Sequence, residues 1–141
     1  DEKETYQNKL VWSDEYSINI KAMDEQHKKL VAIINKHNIA VNSKKQKEIL
    51  KNTLKGLLEY IEIHFEKEQE LMMLHGFPEY KAHKEEHDYI NQEVYDLYMK
   101  YKKGDESTAF MLGSLMKDWL FNHICKEDKK YGKYLNSKGV T

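Results

Sequence analysis

Leu57-Leu58-Glu59-Tyr60-Ile61-Glu62-Ile63-His64-Phe65-Glu66-Lys67-Glu68-Gln69-Glu70-Leu71 decides the fold. Leu57, Ile61, His64, Glu68 and Leu71 recur at steps of three and four. An α-helix turns about 100° per residue, so these five share one face. That face is apolar except for an imidazole and a carboxylate one turn apart. A stripe of this kind must be buried, and it carries two polar groups into the interior with it.

The helix around this stretch should run from about Lys45 to Leu74 and end at His75-Gly76-Phe77-Pro78. Pro78 then suits the first turn of a following helix that reaches about Lys103. Upstream, a helix is expected from about Lys21 to Val41, stopping near Asn42-Ser43. Downstream, Gly104-Asp105-Glu106 reads as a turn, with Ser107 as N-cap of a helix to Cys125 or beyond. A short last helix covers Asp128 to Leu135, before Gly139. The periodicity gives each long helix one apolar face: Leu30, Val31 and Ile34; Ile90, Val94 and Leu97; Leu112, Met116, Trp119 and Leu120. Short connections make neighbours antiparallel. The expected fold is all-α, an up-down-up-down four-helix bundle over residues 20–141, with an N-terminal arm over residues 1–19. Val11, Trp12, Tyr16 and Ile18 can fold that arm back onto the core.

Every one of these faces carries histidine. His27 follows Asp24-Glu25-Gln26; His64 precedes Glu68 by one turn; His83 and His87 form a His-x3-His pair; His123 is followed by Asp128. A single histidine on an apolar stripe is more often a hydrogen-bonded core residue than a ligand. Four helices with inward imidazoles are different, because burying so many polar groups without partners is costly. A cation that neutralises the carboxylates and takes the ring nitrogens removes that cost. Depth agrees as well. The groups lie early in the first and third helices and late in the second and fourth, so alternating directions bring them to one end. His123 to Asp128 is a step of five, about 140° off register in a regular α-helix, so a π-type turn or a break is expected there.

Composition bounds the rest. At 141 residues the chain is one domain with room for a core, and its 23 basic residues are all lysine. A formal charge of −1 offers no basis for nucleic-acid binding or an anionic membrane. No apolar run approaches the ~20 residues that span a bilayer. The lone Cys125 suits a reducing cytosol, and the acidic start, Asp1-Glu2-Lys3-Glu4, has no basic-then-apolar signal-peptide pattern. The chain lacks an initiator Met, so a processed protein or a domain of a longer one is expected. His37 lies about 80° off the His27 stripe and is expected to be peripheral. His75 is placed as a cap of the second helix, and Cys125 as packing.

The set of motifs, Asp-Glu-Gln-His at 24–27, His-Phe-x2-Glu at 64–68, His-x3-His at 83–87 and Trp-Leu-x2-His-x4-Asp at 119–128, resembles the hemerythrins, in particular the bacterial hemerythrin-like domains. The likeness runs from Trp12 to Gly139. It implies two iron ions joined by an oxo or hydroxo bridge. His83, His87 and His123 would hold one ion, His27 and His64 the other, and Glu68 and Asp128 would span both. On that scheme one ion has six ligands and the other five, which leaves a position for dioxygen. Imidazole and carboxylate would also accept zinc, copper or manganese; the resemblance, not the ligand set, selects iron. It also implies an apolar oxygen pocket from Leu30, Phe65, Trp119, Leu120 and Ile124, with Leu120 over the open position. The implied function is reversible dioxygen carriage or storage rather than enzymatic turnover. The alternative is an oxygen or redox sensor attached to a signalling domain.

Overall fold

The computed structural model describes residues 9–43 and 47–141, without the side chains of residues 42–50, 120 and 121. The helices are α1 (Lys21–Ser43), α2 (Lys47–Leu74), α3 (Tyr80–Lys102) and α4 (Ser107–Trp119). A π-helical segment, Leu120–Asp128, follows α4 and runs into α5 (Lys129–Ser137). Among the described residues there is no strand. Each long helix packs on its sequence neighbours, and α1 also packs on α4, which closes the four-helix bundle.

The helix ends follow local chemistry. Gly76 adopts φ +66° and terminates α2. Phe77 N–H then reaches Met72 C=O at 2.9 Å and Gly76 N–H reaches Met73 C=O at 3.2 Å. This is a Schellman-type ending, and Phe77 and Met72 also pack together, as that motif favours. Two expected starts are displaced. Pro78 sits in the turn before α3, not in its first turn, and Tyr80 N–H closes that turn on Phe77 C=O at 3.2 Å. Asp105, not Ser107, caps α4. Its Oδ1 accepts from Ser107 N–H at 3.2 Å and from Ser107 Oγ at 2.5 Å. A carboxylate is the stronger acceptor at a helix N-terminus, so it takes the cap from the hydroxyl two residues on. The expected α2 start near Lys45 lies outside the described residues.

Two apolar clusters fill the interior. The larger includes Leu30, Ile34, Leu57, Ile61, Val94 and Met116 between the four helices. The smaller joins Ile18, Ile20, Met72, Phe77, Tyr131 and Leu135 at one end. The arm lies across both. Leu10, Trp12 and Tyr16 pack on the larger cluster and Ile18 enters the smaller, while Val11 points outward at 70% exposure. Val11 was expected inside. The Asn35 side chain fixes the register instead, pairing with Leu10 N–H at 2.9 Å and C=O at 2.8 Å. Asp24 fastens the next part of the arm, accepting from Ser17 Oγ at 2.5 Å and from Ile18 N–H at 2.9 Å.

His37 is a correction. It is fully buried, and its Nε2–H donates to Ala109 C=O at 2.9 Å. The reason is that α1 is covered by both α2 and α4. Its buried face is wider than the His27 stripe alone, so a residue well off that stripe still lies inside.

Gly132 makes the tightest contact of the arm with α5. A Cβ there would stand 2.6 Å from the Ile18 carbonyl oxygen, whereas a Cβ at Gly56 in α2 would meet nothing within 4 Å. Gly132→Ala should therefore destabilise the protein by about 1–3 kcal/mol. Gly56→Ala should stabilise it by about 1 kcal/mol. Urea unfolding of both variants checks this, and equal midpoints would refute the tight seat of the arm.

Candidate metal centre

The inward faces of the four helices converge as their spacing requires. His27 comes from α1, His64 and Glu68 from α2, His83 and His87 from α3, and His123 and Asp128 from the π-helical segment. All seven side chains are buried. They form two overlapping groups: Glu68, His83, His87, His123 and Asp128; and His27, His64, Glu68 and Asp128. Within each, one potential ligand atom per residue lies within 4.8 Å of the others. The two carboxylates belong to both groups, and the histidines divide three and two.

The π-helical turn supplies one ligand of each kind. In a π-helix residue i+5 stands over residue i, so His123 and Asp128 face the same way. Asp128 Oδ1 lies 2.8 Å from His123 Nε2 and 3.1 Å from His83 Nε2, and Oδ2 lies 3.2 Å from His27 Nε2. Glu68 Oε1 lies 3.0 Å from His64 Nε2 and 3.5 Å from His87 Nε2.

Close approach here does not mean satisfied hydrogen bonding. His27 Nε2, His64 Nε2, His83 Nε2, Glu68 Oε1 and both Asp128 oxygens are buried without a hydrogen-bond partner among the described residues. They crowd together all the same, with one potential ligand atom from each residue of a group within 4.8 Å of the rest. Orphaned polar atoms of this density are costly in a folded interior. A nitrogen-rich set with two carboxylates fits a pair of divalent or trivalent first-row ions well.

Electrostatics carries the same strain. Burial opposes protonation of His27, but Asp128 and Glu68 outweigh it and raise its pKa to about 9. For His123 burial is again opposed, by Asp128 first and then Glu86, and the pKa rises to about 10. Burial lowers the pKa of His87. Glu68 and Asp128, despite burial, are held well below the usual carboxylate range by the surrounding imidazoles. Protons thus neutralise the cluster in place of a cation.

A surrounding layer orients the imidazoles. His123 Nδ1–H donates to Glu86 Oε1 at 3.0 Å, and His64 Nδ1–H donates to Gln26 Oε1 at 2.7 Å. Each bond fixes the tautomer that presents Nε2 inward. Glu62, two residues before His64, makes no such bond among the described residues. Gln26 was quoted within its motif without a role; its place one residue before His27 was the available signal. Tyr131 was missed altogether. It is fully buried, and its hydroxyl donates to Glu68 Oε2. Its signal was position, one helical turn beyond Asp128.

On one side the cluster meets apolar rings. Phe65 stacks on His87 with centroids 3.9 Å apart, and Trp119 stacks on His123 at 4.8 Å. Leu30, Phe65, Trp119 and Ile124 are all buried in the larger cluster. The Leu120 side chain lies outside the described residues. His75 stays apart from the cluster, where its carbonyl accepts from the Tyr134 hydroxyl at 3.0 Å. Cys125 is free and half-buried and belongs to neither group.

Comparison with known proteins agrees with this geometry. The family model for the hemerythrin HHE cation binding domain matches residues 19–135. A bacteriohemerythrin of Methylococcus capsulatus is 33% identical over 129 residues, spanning 91% of this chain and 98% of that protein. A hemerythrin-like protein of Naegleria gruberi is 32% identical, spanning 85% and 88%. The solved structure of a wild-type hemerythrin superposes with a TM-score of 0.79 at 30% identity, covering 88% of this chain and 95% of that one.

Metal uptake must displace protons from His27 and His123. Apparent affinity of the metal-free protein for Co(II) should therefore climb from pH 6.5 toward pH 9, with protons released to buffer. Calorimetry in buffers of different ionisation enthalpy measures both, and a flat affinity over that range would contradict the cluster's charge balance. Stability of the metal-free protein should move the opposite way. Raised histidine pKa values contribute below pH 6.5, and that contribution fades as pH rises through about 9.

Proposed function

We propose that this chain, which belongs to the hemerythrin family of oxygen-binding proteins, binds dioxygen reversibly at a di-iron centre and serves as a carrier or store. His27, His64, Glu68, His83, His87, His123 and Asp128 are the proposed ligands. One observation carries the reading: buried, unpartnered nitrogens and oxygens from four helices gather at a single level in two overlapping groups. When bound, two ferrous ions supply the electrons that dioxygen takes up on binding and returns on release.

The chain's own part is mostly exclusion and orientation. Among the described residues, Leu30, Phe65, Trp119 and Ile124 make that side of the cluster apolar, which suits a small neutral gas. Leu30, Phe65, Trp119 and Ile124 keep bulk water and anions from that side. Leu120 is proposed to complete the pocket over the open coordination position. Glu86 and Gln26 keep His123 and His64 in the tautomer that faces inward. The roles assigned to these groups are exclusion and orientation, and the proposed reading is non-enzymatic. Residues 20–141 are taken as the di-iron domain and 1–19 as its arm. None of the described helices is long and apolar enough to cross a membrane. The half-buried free thiol of Cys125 favours a cytoplasmic setting.

A second reading, an oxygen or redox sensor within a signalling protein, draws on the arm. Asp24, three residues before His27, holds Ser17 and Ile18 of the arm. A shift at the metal end of α1 is thereby connected to the chain's N-terminal side.

The test is anaerobic. The purified protein is reduced, its iron per chain measured, and its visible spectrum followed as oxygen is added and removed. Two irons and a reversible change support carriage; irreversible oxidation at the first exposure contradicts it and favours sensing. Leu30→Ser puts a hydroxyl into the dry side of the site and should shorten the lifetime of the oxygenated form. An unchanged lifetime would remove Leu30 from the pocket.

A further inference from the structure

The two carboxylates of the cluster are not equivalent. Neither oxygen of Asp128 has a hydrogen-bond partner among the described residues. Glu68 differs: Oε1 is unpartnered, while Oε2 accepts from the Tyr131 hydroxyl. Glu68 Oε2 also lies 3.7 Å from His27 Nε2.

Tyr131 is held where it is by three features. It is fully buried. Its ring meets His83 edge-on at 5.4 Å and Phe77 at 6.4 Å. Its neighbour Gly132 lies close against the Ile18 carbonyl, so the arm braces α5 at this turn. The phenol hydroxyl has the proton to give, and Glu68 Oε2 takes it as acceptor of the bond.

We propose that Tyr131 is a positioning residue that tethers Glu68 Oε2, turns Oε1 toward the metal site and weakens the carboxylate's electron donation to bound iron. The assignment rests on the di-iron reading above. A hydrogen bond donated to a carboxylate withdraws electron density from it. Ferric iron, with the higher charge, loses more from that than ferrous iron does. Tyr131 therefore favours the ferrous pair, the form that takes up dioxygen, and Asp128 remains the stronger donor of the two.

Two substitutions test this in the full chain. Tyr131→Phe removes the donor and keeps the ring. Site-specific 3,5-difluorotyrosine in place of Tyr131 keeps the ring and makes the phenol a stronger donor. Co(II) affinity of the metal-free protein and the reduction potential of the iron-loaded protein are measured for each. Tyr131→Phe should lose about tenfold in Co(II) affinity, the scale typical of groups that orient metal ligands. Its potential should fall, and that of the fluorinated protein should rise. Potentials equal to the unaltered protein's in both would overturn the assignment, whatever happens to melting temperature. Failure of the unaltered protein to take up paired ions would instead overturn the di-iron reading, and this inference with it.

Discussion

The structure is governed by the cost of burying five imidazoles and two carboxylates at one level of a helical bundle. Each unpartnered polar atom in that interior forfeits its bonds to water without replacing them. Protons can offset part of that cost, as the raised pKa values of His27 and His123 indicate, but they leave buried ring nitrogens and carboxylate oxygens without hydrogen-bond partners. Metal ions can. Much of the surrounding architecture makes sense as support for a cluster that the protein would otherwise have reason to avoid.

The helix distortion is the clearest case. A regular helix from Trp119 onward would carry Asp128 away from His123 and leave one carboxylate on the wrong face. The π-helical turn restores it at the cost of poorer local hydrogen bonding, which is the usual bargain at functional sites. The arm is a second case. Asp24 clamps Ser17 and Ile18, Gly132 admits the Ile18 backbone, and the adjoining Tyr131 reaches Glu68. What looks in sequence like a peripheral extension is therefore part of the wall behind the cluster.

Much of this was legible in the residues. Three-and-four spacing located the long helices, and the common depth of their histidines followed from alternating directions. The five-residue step from His123 to Asp128 announced the π turn. Other features were not legible, for identifiable reasons. His37 was judged from one stripe, whereas α1 is covered on two sides. Asp105 outcompeted Ser107 as a cap because charge decides between two adjacent acceptors. Val11 points outward because Asn35, far off in sequence, pairs with the Leu10 backbone and sets the arm's register. Tyr131 carries no motif; only packing in three dimensions brings its hydroxyl to Glu68.

X-ray absorption on the iron-loaded protein addresses the central claim most directly, since it reads the neighbours of each iron atom. Paired occupancy predicts a clear iron–iron scattering path and a first shell of nitrogen and oxygen rich in imidazole. A first shell without a second iron, at full loading, would mean that the overlapping groups hold a single ion and would contradict the account.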